Sequence, residues 1–239
     1  MKLTGKVALV TNVSEFMGPA ITEEFAREGA TLALHDRDEA AAARIAAIAT
    51  ALGRDTLVMS GDLTRSAEAD RVVTETVARF GHLDILVNNA GFGVFKKLVD
   101  MDRTSFDAVF ATNVTGAMLM GREAAKHFVQ RNSGNIVNIC STASLRGAAN
   151  GTAYYASKFA LRGMTECWRA ELRQFNVRVF LVNPSEVITN FGAAAGLAQK
   201  DNPTKLRGED IAWMIKAALE MNDRGFTPEL TVFATNPKD

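Results

Sequence analysis

Short β-branched and aliphatic runs alternate along this chain with longer segments of helical period, and in each pair the strand comes first. That order feeds parallel strands through helical crossovers, which must lie back on the sheet they connect. Strands are expected at residues 6–11, 31–36, 56–60, 83–88, 135–141, 177–182 and 230–234, and helices at 18–28, 39–52, 66–80, 105–130, 152–174 and 208–221. The class is α/β, a doubly wound parallel sheet of about seven strands with helices on both faces. Thr64 is the expected cap of the third helix, since a hydroxyl can accept from the orphan amides of a first turn. No Ser/Pro-rich linker or repeat interrupts the series, so residues 1–239 are expected to form one domain. A stretch at about 186–207, rich in Ala and Gly, is too long for an ordinary connection and reads as a lid.

Composition narrows function by exclusion. The 27 basic and 27 acidic residues cancel, so no net field draws the chain toward nucleic acid or an anionic membrane. Small molecules and further copies of the chain are the expected partners. The opening MKLTGKVALVT has a short apolar run without a small-residue cleavage pattern, and no apolar stretch is long enough to span a bilayer. Cys140 and Cys167 form no C-x-x-C, and His35, His82 and His127 lie far apart, so no metal site is expected and a reducing cytoplasm fits.

The turn after the first strand reads Thr11-Asn12-Val13-Ser14-Glu15-Phe16-Met17-Gly18-Pro19. In a dinucleotide fold this turn faces the pyrophosphate. Asn12 is among the few residue types that enter left-handed backbone cheaply, whereas a bulky Phe16 there would be an outlier. Gly18 suits close helix-to-strand packing, Pro19 suits a first helical turn, and the helix N-terminus attracts an anion. Asp36 ends the second strand, where a carboxylate accepts from the adenosine ribose hydroxyls and repels a 2′-phosphate. Arg37 is the opposing signal, because a guanidinium could pair with that phosphate.

Later in the chain, Tyr154 and Lys158 stand one helical turn apart in Tyr154-Tyr155-Ala156-Ser157-Lys158, thirteen residues after Ser141. Residues i and i+4 share a helix face, so these two side chains can serve one site while Tyr155 and Ser157 face elsewhere. A phenol with a pKa near 10 exchanges protons poorly near neutrality, and a neighbouring ammonium is expected to lower it.

Together these motifs resemble the classical short-chain dehydrogenase/reductase family, and the likeness runs from Lys6 to about Met221. The family's T-G-x-x-x-G-x-G aligns with Thr11–Gly18 without gaps, two of its three glycines being replaced by Asn12 and Phe16. Its N-N-A-G is Asn88-Asn89-Ala90-Gly91, its N-x-x-G includes Asn113, and its Y-x-x-x-K is Tyr154 with Lys158. The resemblance implies a Rossmann fold and a hydride transfer between a nicotinamide cofactor and a ketone or secondary alcohol. Its flavour is that of the 3-oxoacyl-acyl-carrier-protein reductases, so a 3-oxoacyl thioester is one candidate substrate. By resemblance, the catalytic set is Asn113, Ser141, Tyr154 and Lys158, with Asn113 holding a water that links Lys158 to solvent.

Cofactor contacts are expected from Asn12, Ser14, Phe16, Met17, Gly18, Asp36, Arg37, Asp62, Leu63, Asn89, Ala90 and Gly91, and from Tyr154 and Lys158. Pro184, Ser185, Val187 and Thr189 complete the set, in a segment similar to the family's N-P-G-x-V/I-x-T that frames the carboxamide. NAD(H) is favoured over NADP(H), on Asp36 and on the acidic Glu15 in the loop. A homo-oligomer, tetramer or dimer, is implied, built on the helices at 105–130 and 152–174. Arg169 and Arg173 could meet an acidic carrier or be ordinary surface charge. The competing function is a non-catalytic nucleotide sensor or scaffold with a decayed phosphate loop.

Overall fold

Each strand runs parallel to its neighbours, in the order β3-β2-β1-β4-β5-β6-β7. The structure is a computed structural model and describes residues 1–189, 191 and 202–237. The strands are β1 (Val7–Thr11), β2 (Thr31–Asp36), β3 (Thr56–Ser60), β4 (Ile85–Asn88), β5 (Gly134–Ile139), β6 (Val177–Pro184) and β7 (Glu229–Val232). Helices α1 (Gly18–Arg27), α2 (Glu39–Ala51), α3 (Ser66–Phe80), α4 (Arg103–Phe110), α5 (Ala117–Arg131), α6 (Thr152–Leu172) and α7 (Gly208–Leu219) cover the two faces. This is the Rossmann-type α/β fold that the alternation predicts.

Strand residues serve the two faces in turn, as a period of two requires. Val10, Leu32, Leu34, Val87, Val137 and Val182 pack under Ile21 and Phe25 of α1, Ala46 of α2 and Ile211 and Ile215 of α7. Leu9, Ala33, Leu86, Ile136 and Val179 pack on the other side under Val72 of α3 and Leu119 and Phe128 of α5. The chain leaves β1 for β2 in one direction and reaches β4 in the other. A crevice therefore opens at the carboxyl ends of β1 and β4, where such sheets bind ligands.

Four expectations are corrected. The helix foreseen at 105–130 starts at Arg103 and is interrupted by a π-helical turn at Ala111–Gly116, which separates α4 from α5. Thr64 does not cap α3: the helix starts after Arg65 without a side-chain cap, and the Thr64 hydroxyl donates to Asp62 instead. Ser141 lies beyond β5, which ends at Ile139, and β7 ends at Val232 rather than 234. Of the lid expected at about 186–207, residues 190 and 192–201 lie outside the described residues. No helix among the described residues is long and apolar enough to cross a membrane.

Candidate active site

The β1–α1 turn is shaped by two residues with left-handed backbone, Asn12 at φ 50° and Phe16 at φ 51°. For Asn12 this is cheap, while for Phe16 it costs about 1 kcal/mol or more. Asn89, at the end of β4, secures the turn by donating its amide to the carbonyls of Asn12 (2.9 Å) and Glu15 (3.0 Å). Gly18 is obligatory, because a Cβ there would collide with the Val13 backbone. α1 then begins with Pro19 in its first turn, with neither an acidic side chain nor a side-chain cap. Its first amides and dipole are left for an anion, which fits a pyrophosphate. The Phe16 ring lies against Gly91, where a Cβ would come 3.2 Å from it, and its centroid is 5.5 Å from that of Phe191.

Beside the turn, the nearly buried Asp36 carboxylate accepts from the backbone N–H and hydroxyl of Ser14. Arg37 points to Asp62, 3.2 Å away, with both side chains about half exposed. Partial burial works against ionisation of Asp62, yet the hydroxyl and N–H of Thr64 together with Arg37 hold its carboxyl below the usual range. Asn12, Arg37, Leu63 and Ala90 share the lining of a small cavity of about 20 Å³ with Thr11 and His35. His35 was expected only to be no metal ligand; its place here left no mark in the spacing.

A larger cavity, about 380 Å³, takes in Phe16, Met17, Asn89, Ala90, Gly91, Ser141, Tyr154, Lys158, Pro184, Ser185, Val187 and Thr189 from the expected set. Ser14, Gly18, Asp36, Asp62 and Asn113 line neither of these two cavities. Tyr154 and Lys158 do converge: the Lys158 ammonium lies 5.9 Å from the centre of the Tyr154 ring and donates to the Ile139 carbonyl at 3.2 Å. Ser141 hydrogen-bonds the phenol. Loss of hydration on burial pushes the phenol pKa above its ordinary value, and Ser141 opposes that rise. Lys158, only 2% exposed, has its ammonium pKa depressed by burial. The sequence expectation that Lys158 lowers the phenol is therefore not met in this geometry: desolvation governs both groups.

Asn113 occupies the π turn, a helix irregularity often found at functional sites. Its carboxamide accepts from the Phe92 N–H (2.8 Å) and donates to the Phe92 carbonyl (2.8 Å) and the Ser157 hydroxyl (2.9 Å). Ser157 in turn donates to the Tyr154 carbonyl. The side chain of Asn113 thus braces the first turn of α6, the turn that carries Tyr154. Tyr155 does not face elsewhere; it lines the same cavity, with its ring perpendicular to that of Tyr154.

Phe95 and Phe191 were not foreseen at the site. Their ring centroids lie 5.5 and 5.0 Å from that of Tyr154, contacts brought about by folding that no local motif announces. Pro184 closes β6, the Ser185 N–H donates to Val232 of β7, and Val187 bridges to Leu206, which fixes the loop under the cavity. Arg169 donates to the carbonyls of Val179 and Pro228. No group of three or more His, Cys, Asp or Glu side chains among the described residues is placed to hold a metal.

A family model described as short chain dehydrogenase matches residues 6–200. Sorbitol dehydrogenase of Cereibacter sphaeroides is 31% identical over 242 residues, covering 100% of this chain and 93% of that protein. A metagenomic short-chain oxidoreductase solved in complex with NADP has a TM-score of 0.87 and 31% identity over 99% of this chain and 100% of its own. NAD+-bound xylitol dehydrogenase has a TM-score of 0.89 and 27% identity over 98% and 100%. The chain belongs to the short chain dehydrogenase family. It is an oxidoreductase of the alcohol and carbonyl class that depends on a nicotinamide dinucleotide, and this membership does not favour the non-catalytic alternative.

Proposed function

We propose that this enzyme interconverts a ketone and a secondary alcohol with Tyr154 as the proton-transfer residue and Ser141 as the group that holds the reacting oxygen. The observation that carries the proposal is the meeting of Ser141, Tyr154 and Lys158 in one cavity, from the turn after β5 and the first turns of α6. A nicotinamide dinucleotide, when bound, supplies or accepts the hydride. The residues that would hold it are Asn12, Ser14, Phe16 through its backbone, Met17 and Gly18 at the β1–α1 turn and Asp36, Arg37, Asp62 and Leu63 beyond it. Asn89, Ala90 and Gly91 would add the wall after β4, and Pro184, Ser185, Val187 and Thr189 the loop after β6.

During reduction the Tyr154 hydroxyl gives its proton to the substrate oxygen, and during oxidation the phenolate takes it back. Ser141 orients that oxygen by hydrogen bonding. Lys158 would reach the ribose next to the nicotinamide, while Asn113 holds the helix turn and, as the family resemblance implies, would hold a water that links Lys158 to solvent.

NAD is the favoured cofactor, because the Asp36 carboxylate would repel a 2′-phosphate, and Arg37 is already paired with Asp62. We further infer one domain over residues 1–239 with a lid at about 186–207, a cytoplasmic location, and assembly as a homodimer or homotetramer. The test is a titration with NADH and NADPH followed by turnover on a ketone panel. That panel includes a 3-oxoacyl thioester, the substrate implied by the likeness to the acyl-carrier-protein reductases. Turnover of any of these ketones that survives Tyr154→Phe unchanged would overturn the mechanism.

A further inference from the structure

The cavity that holds Ser141 and Tyr154 is walled by more aromatic rings than a proton transfer uses. Phe95, Tyr155 and Phe191 line it without a part in that chemistry. Phe95 and Phe191 stand with Tyr154 in a triangle whose ring centroids are 5.5, 5.0 and 6.1 Å apart. Phe95 and Phe191 meet edge to face at 87°, and Tyr154 and Tyr155 at 90°.

The backbone around these rings is built to admit them. A Cβ at Gly93 would come 2.6 Å from the Phe191 ring and 3.0 Å from the Phe95 ring, and one at Gly151 would run into the Tyr155 ring. The segment that carries Phe95 is tied on both sides. Before it, Asn113 accepts from the Phe92 N–H and donates to the Phe92 carbonyl; after it, the Lys96 N–H donates to the Asn150 carbonyl at 2.8 Å, where Lys96 bridges to Gly151. The loop after β4 is thereby fastened to the start of α6, and Phe95 is fixed beside the reacting phenol.

Charge is scarce in the same wall. Among the described residues that line the cavity, the ionisable side chains of Asp, Glu, Lys, Arg or His type are Lys158 and Glu186. Lys158 donates to the Ile139 carbonyl, and Glu186 lies 3.3 Å from Lys205. No arginine lines the cavity among those residues, so a phosphate or carboxylate on the substrate meets no guanidinium fork there. A flat ring, by contrast, gains both burial and the edge-to-face attraction that rings offer one another.

We propose that the substrate class of this site is the uncharged aryl-substituted ketone, or the corresponding alcohol, with its ring held against Phe95 and Phe191 while its oxygen meets Ser141 and Tyr154. The inference rests on the proposed reaction and adds which ketones it takes. The balance of that reaction is unchanged: the carbonyl carbon gains the hydride, its oxygen gains the Tyr154 proton, and the aryl ring takes no part.

The experiment compares kcat/KM for benzylacetone, its analogue with the ring saturated to cyclohexyl, dihydroxyacetone and acetoacetyl-coenzyme A. In the first two the ring is insulated from the carbonyl, so their ratio reads recognition and not intrinsic reactivity. Benzylacetone should exceed the cyclohexyl ketone about 2- to 10-fold, the worth of an aromatic contact beyond burial. It should exceed dihydroxyacetone and the thioester about 10- to 100-fold, the worth of burying a ring. Phe95→Leu, which keeps the wall apolar, should bring the ratio of benzylacetone to the cyclohexyl ketone close to one.

A wild-type ratio of one or less overturns the proposal, as does turnover of dihydroxyacetone or the thioester at the level of benzylacetone. A Phe95 that only supports the fold would slow both ring ketones alike in Phe95→Leu and leave their ratio as in the wild type, which also overturns it. Should Phe95→Leu not fold, the wild-type ratios decide alone. Turnover of none of the four ketones by enzyme that binds NADH would bring down the proposed reaction itself, and this inference with it.

Discussion

Ser14 donates twice to one oxygen of Asp36, from its backbone N–H at 2.9 Å and from its hydroxyl at 2.8 Å. The second oxygen receives the Asp38 N–H, at 3.3 Å. The carboxylate is thus tied to the β1–α1 turn, and the proposed preference for NAD rests on it. Asp36→Ala should weaken NADH about 10-fold or more, the worth of hydrogen bonds to a charged group, and narrow or reverse the preference over NADPH. Equilibrium titration with both nucleotides reads this directly, and an unchanged ratio would count against Asp36 as the discriminating group.

Tyr154→Phe keeps the ring contacts with Phe95 and Phe191 and removes only the hydroxyl. Turnover should fall about 10²- to 10⁴-fold, the span typical of a lost acid or base, with little change in nucleotide affinity. Steady-state kinetics with a direct binding measurement separates the two effects.

Phe16 holds a left-handed backbone and puts its ring against Gly91. In Phe16→Gly, relief of about 1 kcal/mol of backbone strain is offset by lost ring packing and by the greater chain entropy of glycine. The thermal midpoint should therefore move little. Nucleotide affinity should rise several-fold as the groove opens, and weaker binding would mean that the ring supports the cofactor rather than crowding it.

His35 makes stability depend on pH. Burial, partly countered by the Asp36 carboxylate, the Gly61 backbone and the Glu68 carboxylate and reinforced by Arg71, sets its folded pKa at about 4 against an ordinary 6.5. The unfolded chain takes up the proton first as pH falls, so stability is full above 6.5 and declines toward 4, by about 3 kcal/mol in all. Denaturation midpoints from pH 7 to 4 should show this slope, and His35→Leu should remove most of it.

The sheet was legible because alternation is a local property. β2 and β3 occupy residues 31–36 and 56–60 as the pattern predicts, and α3 occupies 66–80. The break at Ala111–Gly116 was not legible, since one extra residue in a helical turn hardly disturbs a period of 3.6. At the site, the spacing of Tyr154 and Lys158 foretold their meeting in space, but not the order of their pKa shifts, which depends on how deeply the fold buries each group. Phe95, Phe191 and His35 depend on what distant segments bring beside them. Ser157 carried a weak signal, lying three residues after Tyr154 and within reach of its carbonyl.

The π turn at Ala111–Gly116 amounts to one surplus residue threaded into an otherwise regular rod. Deleting a single residue there would let the rod close up, and everything on one side of the splice would swing through about 100°, the angle between successive residues of an α-helix. Either Asn113 would then lose its grip on Phe92 and Ser157, or Leu119 and Phe128 would leave the sheet. The irregularity lets one continuous piece of chain satisfy two incompatible rotational settings, one for the site and one for the core.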